Sequence, residues 1–356
     1  MNYTAIFTRD YRASIIITGL SIILMITTLF SLTVGAVSIP VQDVIVILLK
    51  QLGFFQSTEV DHMFQVVLYS IRFPRILMTL LIGASLGVSG ASLQGLFRNP
   101  LVEPSLIGVS GGSASAVVVV IVFGGSLAIP ASGIAHDAVL SLAAFLGGLS
   151  ATFLVLKLSN KRGKTNIAVL ILIGVAVNAM AGAVIGLAIF YADENQLRTF
   201  TFWTLGDLGG ATWDKLMVAA PLLVVSNSML LLFAKPLNAL ALGEAEAFHL
   251  GVNTERTKRS IILLSALSVG VSVSMAGMIG FIGLIVPHVI RVSFFPDNKL
   301  VLPASILGGA TLLIFSDIIA RTIVTPAELP IGVVTALIGA PFFVVLLINA
   351  HRKNEL

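Results

Sequence analysis

The chain has 356 residues, 57% hydrophobic and 11% charged, with no cysteine, a net charge of +4 and a mean hydropathy of +1.03. Soluble domains carry about a quarter charged residues, so this composition excludes an ordinary soluble fold. The lack of thiols excludes disulfides, thiolate metal sites and cysteine nucleophiles together.

The polar, basic N-terminus, Met1 to Arg12, leads into an apolar run long enough for a bilayer crossing of roughly 20 residues. No small-residue cleavage site follows, so the run reads as an uncleaved first span. Ten crossings are expected, at about 13–36, 71–96, 105–126, 137–158, 166–191, 214–234, 260–282, 283–296, 300–321 and 331–350. The eighth is short, and its junction with the seventh falls at Gly280-Phe281-Ile282-Gly283. A long connection, Ser38 to Ser70, follows the first span, and Val41 to Leu52 within it has the apolar spacing of a helix on the outer membrane surface. Another outer segment, Ala192 to Thr212, sets Asp193, Glu194, Arg198 and Asp207 beside Phe200, Phe202 and Trp203, with Trp213 following. Aromatic residues at such an edge usually form an interfacial belt.

Lys157, Lys161, Arg162, Lys164, Lys235, Arg256, Lys258 and Arg259 gather in loops on the side of the N-terminus. Under the positive-inside rule this puts both termini in the cytoplasm, and it accounts for the basic balance without a nucleic-acid partner. The fold class that follows is an all-α polytopic membrane protein, a single transmembrane domain over 1–356, with 235–259 as a cytoplasmic loop within it.

Gly87-Val88-Ser89 followed by Leu101 and Pro104 matches Gly270-Val271-Ser272 followed by Leu284 and Pro287 at a constant offset. Spans two and seven run in opposite directions, so spans 2–5 and 7–10 form an inverted repeat. Transporters built this way place the substrate path where the halves meet. Within the spans small residues recur at every fourth position: Gly83, Gly87, Ala91 and Gly95; Gly174, Asn178, Gly182 and Gly186; Ala266, Gly270 and Ser274. That spacing lets helix backbones approach closely. Asn178 stands apart, because an amide at mid-membrane needs a partner: either another helix or the wall of a translocation path.

The loop from Lys235 to Arg259 differs from the others. Gly243 through Leu250 forms a helix-prone stretch with Glu244 and Glu246 in its first turn and Gly251 where a helix would end. So short a helix is not stable alone and requires a partner on its own side of the membrane.

Several segments in one order carry a resemblance: Arg72-Phe73-Pro74-Arg75, Asn99-Pro100-Leu101-Val102-Glu103-Pro104 with Gly108-Val109-Ser110, the Gly-Glu-Ala-x-Ala-x-x-Leu-Gly stretch ending at Gly251, Gly280 through His288, and Glu328-Leu329-Pro330-Ile331-Gly332-Val333 through Pro341. Over roughly 13–350 the chain resembles the FecCD-type permeases, membrane subunits of bacterial ABC importers for vitamin B12, iron-siderophores and haem. The resemblance implies a ten-span subunit of the inner membrane that pairs into a dimer, here read as a homodimer, around a central path. Two cytoplasmic ATP-binding subunits would dock on Leu242, Gly243, Glu244, Ala245, Glu246, Ala247, Leu250 and Gly251. A periplasmic or lipoprotein binding protein would dock acidic residues on Arg72, Arg75 and Arg321, which are expected to form a basic rim on the aqueous surface. Asn99 and Leu101 would belong to the cytoplasmic gate. A second gate element between spans four and five matches only loosely near Thr165 to Ala168, and no residue is assigned there. Asn178 and Arg198 are placed on the translocation path.

The stretch from Gln196 to Gly206, with Gly209 to Trp213, looks most like the haem branch, so haem is the expected cargo, then an iron-siderophore, then cobalamin. No cofactor is expected on this chain. It has no Gly-x-x-x-x-Gly-Lys-Ser/Thr loop, so ATP and Mg would bind a partner and the chain itself is not an enzyme. An ion-coupled secondary transporter would bury titratable groups in its spans. Here Asp317 is the main such acid, and an i,i+4 pair with Arg321 accounts for it. A membrane enzyme would need a catalytic cluster, and the five His residues are scattered. An isolated channel would have no use for the Gly243–Gly251 stretch.

Overall fold

In a computed structural model, residues 3–51, 53–54, 59–127 and 133–352 are described. Leu52, the last residue of the expected surface helix, lies outside them. The chain is almost wholly helical: α1 (Tyr3–Thr33), α2 (Val41–Gln51), α3 (His62–Val66), α4 (Phe73–Phe97), α5 (Val109–Phe123), α6 (Ile134–Ser159), α7 (Ile167–Tyr191), α8 (Glu194–Leu205), α9 (Trp213–Leu231), α10 (Ala234–Leu242), α11 (Glu244–His249), α12 (Thr254–Ala276), α13 (Ile282–Ser293), α14 (Asn298–Thr322) and α15 (Ile331–Arg352). A π-helical turn, Val67–Arg72, joins α3 to α4 without a break. The described residues hold eight helices long and apolar enough to cross a membrane, and shorter apolar helices, α13 and the apolar part of α15, stand at the expected eighth and tenth spans. In a bilayer this architecture follows from the backbone, whose polar groups must be paired within each segment.

The inverted repeat is visible in the helix lengths. α4, α5, α6 and α7 have 25, 15, 26 and 25 residues, and α12, α13, α14 and α15 have 23, 12, 25 and 22. Packing follows the same symmetry, with α4 against α14 and α12 against α6. The sequence match that first suggested the repeat is only partly structural. Gly87 and Gly270 occupy equivalent helices, but Pro104 opens a 3-10 turn (Pro104–Ile107) whereas Pro287 lies inside α13.

Small residues set the core contacts. A Cβ on Gly87 would fall 2.1 Å from the Ser305 carbonyl of α14, and one on Gly90 would fall 1.9 Å from the Gly283 carbonyl. Both positions therefore require glycine for close backbone approach. The α7 stripe divides: Gly174 packs on the Leu106 carbonyl, while nothing approaches Gly182 or Gly186 within the chain. The expected seventh span is overrun, since α12 ends at Ala276 and Gly277, at φ 70°, turns the chain before α13 begins. Periodicity could not register that break, because the residues on both sides are apolar.

Candidate functional site

Two ends of the bundle carry polar machinery. At one end lie Arg72, Arg75 and Arg321, and here the expectation of an exposed basic rim is corrected. All three are buried, with 4%, 6% and 5% of their surface exposed. Arg72 donates to the carbonyls of Leu32 and Val37 at the end of α1. Arg75 bonds Asp317 through Nε at 3.0 Å and Nη2 at 2.8 Å, and Glu328 through Nη1 at 2.8 Å. Arg321 donates to Ser31 Oγ at 2.7 Å and the Val34 carbonyl at 3.0 Å, and its Nε lies 3.0 Å from Asp317 Oδ2 in the expected i,i+4 pair. A Cβ on Gly35 would stand 3.1 Å from Arg72 Nη2 and 3.3 Å from Arg321 Nη1, so a residue without a side chain makes room for both guanidinium groups. The cluster reached the interior because charged groups taken out of water need fixed partners. α1, α14 and the segment before α15 supply them. Only Glu328 opens to solvent, with 42% of its side chain exposed.

The same end carries α8, absent from the sequence reading although Asp193 and Gln196 form a capping box that announces a helix start. Arg198 is exposed on α8 and stacks over Phe202 at 5.7 Å. Trp213, itself exposed, donates to the Tyr69 carbonyl at 2.8 Å, tying α9 to the π-helical turn.

Mid-bundle, Asn178 donates to the Ser105 carbonyl at 3.0 Å, so its partner is the turn between α4 and α5. Asn227, passed over in the sequence, is the more buried amide. It donates to Ser85 Oγ and accepts from Ser268 Oγ, both at 2.9 Å, stitching α9 to α4 and α12. Glu103 reaches from the α4–α5 turn to accept the Phe281 N–H at 2.9 Å, so the two equivalent breaks of the repeat meet inside the bundle.

At the opposite end, Asn99 and Pro100 are exposed and Leu101 half-buried, and Asn99 Oδ1 accepts the Leu101 N–H at 2.9 Å. The predicted short helix exists as α11, with Gly251 at φ 84° beyond its end. Leu242, Phe248 and Leu250 are exposed, while Ala247 is fully buried. Glu244, Ala245, Phe248 and Gly251 border an open groove of about 740 Å3 that also touches Lys164 and Glu255. The exposed apolar side chains of Leu242, Phe248 and Leu250 stand together on a loop that also carries charged residues. Lys258, counted in the sequence only as a surface cation, is 1% exposed and packs beneath α11.

A family model described as the FecCD transport family matches residues 23–349. The chain belongs to the FecCD family. Among its relatives, the hemin transport system permease protein HmuU of Yersinia pestis is 40% identical over 94% of this chain and 96% of that protein. The vitamin B12 import system permease protein BtuC of Klebsiella pneumoniae is 37% identical over 94% of each chain. A solved structure of a metal-chelate type ABC transporter in an inward-facing conformation is 35% identical, with a TM-score of 0.81 over 94% of this chain and 99% of that one. This chain is therefore a multi-pass membrane permease subunit of an ABC importer in the inner membrane, and the family implies ATPase and substrate-binding partners.

Proposed function

We propose that this FecCD permease imports haem as a homodimer, driven by two separate ATP-binding subunits that dock on α10, α11 and Gly251. The exposed Leu242, Phe248 and Leu250 beside the groove carry the docking assignment. In this orientation the α11 end and both termini are cytoplasmic, and the buried arginine end faces the binding protein. The unfilled Gly182 and Gly186 face of α7, with Val175 and Phe190 exposed along it, suits a second copy across a central path. Asn99 and Leu101 form part of the cytoplasmic gate, and Arg198 on α8 lies at the path's outer mouth.

The haem assignment is supported by the α8 segment Gln196 to Gly206 and by the likeness to the hemin permease. Similar identity to cobalamin permeases makes cobalamin and ferric siderophores the competing cargoes. The test is ATP-dependent uptake by the reconstituted importer with its binding protein, offered haem, cobalamin and a ferric siderophore in parallel. Haem accumulation alone supports the proposal, and cobalamin or siderophore accumulation without haem overturns it. Cysteines placed at 99 and 101 in this cysteine-free chain should cross-link across the dimer in one nucleotide state only. Equal cross-linking in every state would remove the gate role.

A further inference from the structure

Lys258 is a lysine with almost no contact with solvent, 2% exposed in its side chain, at a junction of three parts of the chain. An ammonium has three donors and no acceptor. Here there are three acceptors for them: the Thr165 carbonyl at 2.9 Å, Glu244 Oε2 at 3.0 Å and Glu255 Oε1 at 2.6 Å. Glu244 opens α11, Glu255 sits three residues before Lys258 on α12, and Thr165 ends the two-stranded hairpin Asn160–Thr165 between α6 and α7. Glu255 also accepts the Thr165 N–H at 2.8 Å, so both backbone polar groups of Thr165 are held from α12. Arg259 adds a bond to the Gly163 carbonyl at 2.7 Å.

The hairpin is not a passive loop. Asn166 follows Thr165 at once and caps α7 by accepting the Val169 N–H. Further along α7, Asn178 bonds the Ser105 carbonyl and Gly174 packs on the Leu106 carbonyl, both in the turn after Asn99 and Leu101. A continuous physical path therefore runs from α11 through Lys258 to Thr165, along α7, and into the α4–α5 turn.

We infer that Lys258 is the positioning residue that transmits displacement of α11 to α7 and the α4–α5 turn. The inference rests on the reading of α11 as the ATPase-docking helix. If α11 shifts, either Glu244 drags the ammonium and the hairpin with it, or the ammonium is left with an unpaired donor in a buried place, which is unfavourable. The Glu244 side chain is half exposed while its carboxylate holds the buried lysine, so a protein docked on α11 could move the lysine through it.

The test uses the importer reconstituted with its ATPase, with spin labels on cysteines at Lys161 and Lys235 reporting the hairpin against α10. In the otherwise wild-type complex the distance between labels should change between nucleotide-free and ATP-bound states. Lys258→Met should keep the ATPase bound and hydrolysing, abolish the change in distance, and lower transport per ATP about tenfold, within the usual range of coupling between sites. Lys258→Arg should restore much of both readouts, which a purely packing role would not require. Glu244→Gln alters a half-exposed group without touching the fold and should lose part of the distance change, so the idea stays testable if Lys258→Met does not fold. A wild-type distance change and wild-type transport per ATP in Lys258→Met and Glu244→Gln would overturn the link while leaving docking intact. Failure of the unmutated permease to retain the ATPase would instead overturn the docking reading, and the link with it.

Discussion

Gln94 Nε2 on α4 lies 3.3 Å from the Gly283 carbonyl of α13, the group that Pro287, four residues on and lacking an N–H, leaves without a helical partner. The same amide reaches the Leu284 carbonyl at 3.1 Å, and Gln94 is 2% exposed. A proline that would weaken a short helix is thus compensated by a side chain from the helix it crosses. Gln94→Leu should destabilise the protein by about 1–3 kcal/mol, the cost of a buried unpaired polar group. Adding Pro287→Ala should recover part of that loss by restoring the N–H. Thermal unfolding in detergent checks this, and a double variant no more stable than Gln94→Leu alone would show that the proline is not what the glutamine serves.

The glycines separate packing inside the chain from packing outside it. Gly90→Ala places a Cβ 1.9 Å from a carbonyl oxygen of another helix and should abolish correct folding, read as loss of the monodisperse species. Gly182→Ala and Gly186→Ala meet nothing within 4 Å and should leave the isolated subunit's unfolding temperature unchanged. Any effect they have should appear in the dimer's dissociation instead.

Much of this architecture was legible in the residues. Hydropathy located ten spans because in a bilayer apolar length is nearly the whole signal, and Gly251 marked the end of α11 because few other residues adopt its positive φ. The polar cores were not legible. Gln94 bonds to the carbonyls of Val102, Gly283 and Leu284, and Lys258 joins the Thr165 carbonyl to carboxylates from two helices, partners so spread along the chain that no local side-chain pattern announces them. The arginines were misplaced for a related reason. Charge at a span's end suggested water, whereas Ser31 and Leu32 in the last turn of α1 and Val34 and Val37 just beyond it, with Asp317 and Glu328, supply an enclosure that only the fold assembles.

Gly251 tests docking through backbone geometry alone. No atom approaches its Cβ position, so Gly251→Val introduces no clash, but at φ 84° a branched residue is strained by about 1 kcal/mol or more. The variant should insert normally, misdirect the chain between α11 and α12, and lose transport-coupled ATPase activity. Normal coupled activity would count heavily against α11 as the docking element.

The arginine cluster needs a different experiment from an exposed rim. Asp317 serves Arg75 and Arg321 at once with 2% of its side chain exposed, so Asp317→Asn leaves two buried guanidinium groups undercompensated. Removing one partner of a buried pair costs about 3–5 kcal/mol, so this variant should unfold at markedly lower temperature. Charge reversal at Arg72, Arg75 and Arg321 would fail for the same reason and say nothing about docking. Glu328 is the informative site, because its carboxylate covers Arg75 from the solvent side and is 42% exposed. Glu328→Gln should change stability by no more than about 1 kcal/mol. It removes an acid that would compete with an incoming acidic residue, so association with the binding protein should become faster at low salt, with the gain fading beyond about 0.15 M. Stopped-flow association across a salt series decides it. An unchanged on-rate with unchanged salt dependence would make the three arginines purely structural, clamps between α1, α4 and α14.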